Sequence, residues 1–235
     1  MSRQSTARLA GVLNLLMGIP ATYTLIYIPR TFIVPGDAAA TAERIVSSAA
    51  LYRTAAFADL ISGVFGIWLA VVLYELFRHV NRTHARLLVG FIFGMVATEV
   101  VLAVLTSAPL LFATDTEYLR AFNSSQREAL TLAFWNLRSQ AVRLASVYWG
   151  VWLLPLGTLV YQSRFLPRWL GVVVFIAGCT YVLTALAYVF TPGYARLVAT
   201  ISMVPQGLGE AGFIAWVLIK GVRAETSVAG SESPT

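Results

Sequence analysis

Charge is scarce in this chain. Only 12% of its 235 residues are Asp, Glu, Lys or Arg, about half the share of a soluble domain. That excludes an ordinary solvated surface. The residues that replace charge are hydrophobic, 58% of the total, with a mean hydropathy of +0.73. Cysteine is nearly absent: Cys179 stands in an apolar run, so there is no disulfide framework, and it reads as a packing residue. The two histidines, His79 and His84, share the loop Arg78–Arg86 without a cysteine or acid to complete a set. Zinc takes three or four ligands, so no metal site is expected there. The net charge of +6 comes from arginines scattered through loops and helix ends. They form no stripe, and a nucleic-acid partner is not implied. H-E-x-x-H, G-x-S-x-G, a phosphate loop and a cysteine–histidine pair are all missing, so no catalytic residue and no cofactor are assigned.

What the chain does have is long apolar runs. A helix needs about 20 such residues to cross the hydrocarbon core. Six stretches qualify: Ala7–Ile28, Leu51–Phe77, Leu87–Phe112, Gln140–Tyr161, Trp169–Phe190 and Leu197–Ile219. The expected fold is an all-α bundle of six transmembrane helices in one domain, residues 1–222. A short disordered tail over 223–235 is expected to follow. An even number of spans puts both termini on one side. Nine basic residues fall on that side and eight on the other, or five if Arg53, Arg138 and Arg143 belong to the helices. The positive-inside rule therefore predicts cytoplasmic termini of a multi-pass protein in the cell membrane.

Local signals refine the spans. Gly11, Asn14 and Gly18 share a face of the first, which suits close packing. Asp37, after the Pro35-Gly36 turn, is placed to cap a short surface helix over Ala38–Ser48. Ser125-Gln126-Arg127-Glu128 fits a capping box, so a helix is expected to start there and run into the fourth span, where Pro155 should bend it. Gly90-x-x-x-Gly94 is a common packing motif of low specificity. Pro205 with Gly207, Gly209 and Gly212 makes the sixth span the least regular.

Several stretches resemble one bacterial integral-membrane family catalogued as domain of unknown function 4386. They include Arg8-Leu-Ala-Gly11, Ile33 through Thr41, Leu153-Leu-Pro-Leu-Gly157, Ser163-Arg-Phe-Leu-Pro-Arg168, Gly209-Glu210 and Leu218-Ile-Lys220-Gly221. The resemblance covers nearly the whole chain in order. It implies six membrane helices and no activity. Members often carry histidine where this chain has Arg138, which implies different chemistry at that position here.

The embedded charges are the candidate site. Asp59 lies on a stripe with Gly63, Gly66 and Ala70, so it points toward other helices. Glu99 falls near the middle of its span, where a bare carboxylate costs about 3 kcal/mol even on lenient scales. Gln206 and Glu210 are one turn apart near the midplane, and Arg143 is the deepest cation by position. Asp59, Glu99, Arg143, Gln206 and Glu210 are therefore read as a ligand-binding set, with Arg143 as counter-charge or anion anchor. A cavity open to the far side, acidic at its floor, would hold them. The simpler alternative is a buried network in which Arg143 neutralises Asp59. Trp68, Trp149, Trp152 and Trp216 read first as interfacial belts and second as pocket walls.

Together these features predict a small-molecule or lipid binding or transport-type bundle with a polar intramembrane cavity, whose partners are membrane lipids. A membrane-embedded enzyme acting on a lipid or isoprenoid with carboxylate acid–base groups is the first alternative. A structural or accessory membrane subunit is the second. No internal repeat of the kind that marks inverted-repeat transporters is visible.

Overall fold

The computed structural model describes residues 2–114 and 117–222; the tail expected over 223–235 lies outside them. Among the described residues every regular element is helical. Six helices are long and apolar enough to cross a membrane, and they start and stop where the local chemistry directs.

Helix α1 (Arg3–Thr22) is capped by Ser2, whose hydroxyl accepts from the Ser5 amide at 3.1 Å. It passes Pro20, widens into a π turn over Tyr23–Tyr27, and ends with α2 (Ile28–Phe32). Gly36 turns the chain at φ 78°, a conformation that costs other residues energy. Asp37 then caps α3 (Ala38–Ser47) by accepting from the Ala40 amide at 2.9 Å. Helix α4 spans Ala49–Phe77. After a short turn, Asn81 caps α5 (Arg82–Ala113).

The capping box before the fourth span sits two residues earlier than expected. Asn123 accepts from the Gln126 amide, and the Gln126 side chain accepts from the Asn123 amide, both at 2.9 Å. Helix α6 (Ser124–Val151) does run on into the fourth span. It breaks at Trp152, where α7 (Leu153–Gln162) takes over. Pro155 has no amide to offer the Val151 carbonyl, so the ladder is interrupted where the sequence places the proline. Helix α8 (Arg168–Phe190) returns, and α9 (Pro192–Ala215) ends in a second π turn, Trp216–Lys220.

Consecutive spans pack as antiparallel neighbours, and α1 lies against α4, so the ring runs α1, α4, α5, α6–α7, α8, α9. It closes most loosely between α9 and α1. The tightest seam is α7 against α8: a Cβ on Gly171 would meet the Tyr161 amide nitrogen at 2.5 Å and the Gly157 carbonyl at 2.7 Å. One large core fills the half nearer the termini, from Ala7 and Leu73 to Leu156 and Val217. A smaller core at the far end joins Ile28, Phe32, Ile45, Tyr52, Leu110 and Trp135. There α3 and the first turns of α6 pack over the ends of α4 and α5. At 32 residues α5 measures about 48 Å, well beyond the roughly 30 Å of a hydrocarbon core.

Candidate functional site

Two polar assemblies lie inside the bundle, and they differ in what holds them. The first is a closed triad beneath the far-end core. The Thr106 hydroxyl donates to Asp59 Oδ2 at 2.7 Å, and Arg138 Nε donates to Thr106 Oγ1 at 2.5 Å. Arg138 Nη2 completes it with an ion pair to the same Asp59 oxygen at 3.5 Å. All three residues are at most 3% exposed. Arg138 also lies over the Trp135 ring, 5.1 Å from its centroid. The threonine fits because one hydroxyl can donate and accept at once. Asp59 lies about 27 Å along α4 from Phe77, toward the far end of the helix.

The expected stripe is real: Asp59, Gly63, Gly66 and Ala70 are all buried. The expected partner is a different arginine. Arg143 is half-buried, donates to Gln140 at 3.1 Å, and lies 5.3 Å from the Tyr188 ring centroid; it does not pair with Asp59. Depth along the helix favours Arg143, but helical phase decides. Thr131, Trp135, Arg138 and Ala145 fall at i, i+4, i+7 and i+14, and all four are buried. The apolar and small residues on that stripe were the available signal. Arg53 is exposed.

The second assembly is a cavity of about 200 Å³ near the middle of the bundle, behind the loose seam between α1 and α9. Glu99 of α5 and Glu210 of α9 both line it. So do Asn14 of α1, Ser62 of α4, Trp149 and Trp152 of the fourth span, and Tyr181 of α8. Glu99 is 6% exposed. Its carboxyl lies beside the Trp149 indole, and that of Glu210 beside the Tyr181 hydroxyl. Trp149 and Tyr181 meet edge to face, 6.2 Å between centroids. Ser62 donates its proton to the Met17 carbonyl at 2.9 Å, tying α4 to α1 at the cavity wall.

Gln206 is half-buried and does not line the cavity, although it stands one turn from Glu210. The face expected on α1 divides. Gly11 takes the close contact, its would-be Cβ 2.7 Å from the Leu218 side chain. Gly18 meets nothing within 4 Å and lines the cavity with Asn14. The tryptophans divide too: Trp152 is buried and Trp149 half-buried at the cavity, whereas Trp68 is 61% exposed. Among the described residues no three His, Cys, Asp or Glu stand together as a metal site.

Residues 9–221 match the family described as "Domain of unknown function (DUF4386)". The chain belongs to this family. The match runs from α1 through the second π turn and so includes every residue of the triad and the cavity wall. A relative from Archaeoglobus fulgidus, described as "Uncharacterized protein", is 36% identical over 78 residues. That alignment covers 33% of this chain and 44% of the relative. No solved structure matches the chain.

Proposed function

We propose that this family member is a membrane-embedded binding or transport-type bundle whose cavity receives a small molecule or the polar end of a lipid. The observation that carries the reading is the contrast between the two assemblies. Asp59 is engaged by Arg138 and Thr106 and serves to hold α4, α5 and α6 together. Glu99 and Glu210 reach one cavity from different helices, and among the described residues neither has a cation within 4 Å. Carboxylates at that depth are costly, and a bundle that needed only packing would gain by replacing them. A cavity with apolar walls and a few convergent polar groups is the usual form of a ligand site. The basic residues on the terminal side support cytoplasmic termini in the cell membrane.

Native mass spectrometry of the purified chain tests this. A bound molecule should accompany the wild type and be released by Glu210→Gln, while Arg143→Ala, outside the cavity wall, should leave it bound. A wild type that carries and accepts no ligand under any condition overturns the reading.

A further inference from the structure

We infer that the ligand of this cavity presents a positively charged ammonium group; the inference rests on the binding role proposed above and names its chemistry. The cavity wall contains two carboxylates and, among the described residues, no arginine, lysine or histidine. The nearest buried guanidinium, Arg138, is held by Asp59 and Thr106.

The hydrogen-bonding inventory points the same way. Two donors of the wall face its own acids, the Trp149 indole beside Glu99 and the Tyr181 hydroxyl beside Glu210. Ser62 gives its only proton to the Met17 carbonyl and so turns lone pairs toward the cavity. Beyond these contacts the two carboxyl groups and Ser62 keep further lone pairs that can accept. An ammonium supplies donors and charge together, whereas a phosphate, sulfate or carboxylate supplies neither donors nor the right sign. Trp149, Trp152 and Tyr181 line the same wall, and aromatic rings attract cations through their quadrupoles.

The ammonium can belong to a water-soluble amine or to an amphiphile. The wall continues outward along Gly18, Ala21 and Thr22 of α1, Leu25 of the π turn after it and Ile214 of α9, where the ring is loosest. An apolar tail would leave by that seam.

The test uses the full chain in a neutral maltoside detergent, with native mass spectrometry and thermal shift as readouts. The probes are dodecylamine, dodecanol, dodecyl sulfate and propylamine. Dodecylamine should bind one to one, roughly tenfold tighter than dodecanol, a difference of about 1.4 kcal/mol. The double variant Glu99→Gln/Glu210→Gln should lose that preference. Gly18→Leu should lose binding altogether, because it adds bulk at a residue of the cavity wall where a Cβ meets no heavy atom within 4 Å. Propylamine binding comparably to dodecylamine supports the ammonium and assigns it to a soluble amine; much weaker binding assigns it to an amphiphile. Equal binding of dodecanol, or a preference for dodecyl sulfate, overturns the ammonium while leaving the binding role intact. Amine binding unchanged in both variants overturns the assignment to this cavity. No probe binding and no co-purifying molecule overturn both readings.

Discussion

Arg138 and Arg143 sit five residues apart on one helix, about 140° in phase, and meet opposite surroundings. The first is 3% exposed against Asp59, and the second lies along Tyr188. Removing one member of a buried pair leaves the other charge without compensation, at a typical cost of about 3–5 kcal/mol. Arg138→Ala should therefore destabilise the bundle by that order in equilibrium unfolding, whereas Arg143→Ala should cost under about 1 kcal/mol. Replacing both partners, Asp59→Leu with Arg138→Met, should recover most of the loss, because apolar groups of similar size need no partner. A double variant no better than Arg138→Ala would mean that the triad holds the fold by more than charge balance. Asp59 was legible in the sequence because its stripe of small residues has helical spacing. Arg138 was less legible because charged residues are ranked by depth more readily than by phase, and the deeper arginine was the wrong one.

At the scale of the element, small residues matter by what faces them. Gly157 and Gly171 bring α7 and α8 into backbone contact, whereas Gly90 faces open space. Gly171→Ala should cost about 1–3 kcal/mol, since a backbone amide cannot move aside as a side chain can. Gly90→Ala should be neutral or stabilising, by up to about 1 kcal/mol through helix propensity. Thermal unfolding of the two variants in one detergent checks both directions; a destabilised Gly90→Ala would show the Gly90–Gly94 motif to be a contact after all. The six spans were legible from length and hydropathy alone, and Pro155 marked the break before Leu153–Gln162. The cavity was not. It depends on which faces of α1, α5, α8 and α9 converge, and no single helix carries that information. Glu99 and Glu210 announce themselves as expensive residues, but only the ring order brings them to one wall, and it leaves Gln206 off it.

For the molecule as a whole, six spans and an ordered ring make one topology prediction. On a Cys179→Ala background, His79→Cys should react with a membrane-impermeant thiol reagent from the side of the termini, and Ala39→Cys from the opposite side. Both positions are exposed. Labelling of both from the same side is incompatible with the six-span arrangement. The far side also has a property that hydropathy conceals. Helix α5 exceeds the hydrocarbon thickness by roughly 18 Å, and α3 is packed against that overhang with the first turns of α6. These helices thus form a ledge at the far end of the bundle. An antibody fragment raised against the intact protein should find a conformational epitope there, and that ledge would give electron-microscopy particles a landmark for alignment that the lipid-covered belt does not.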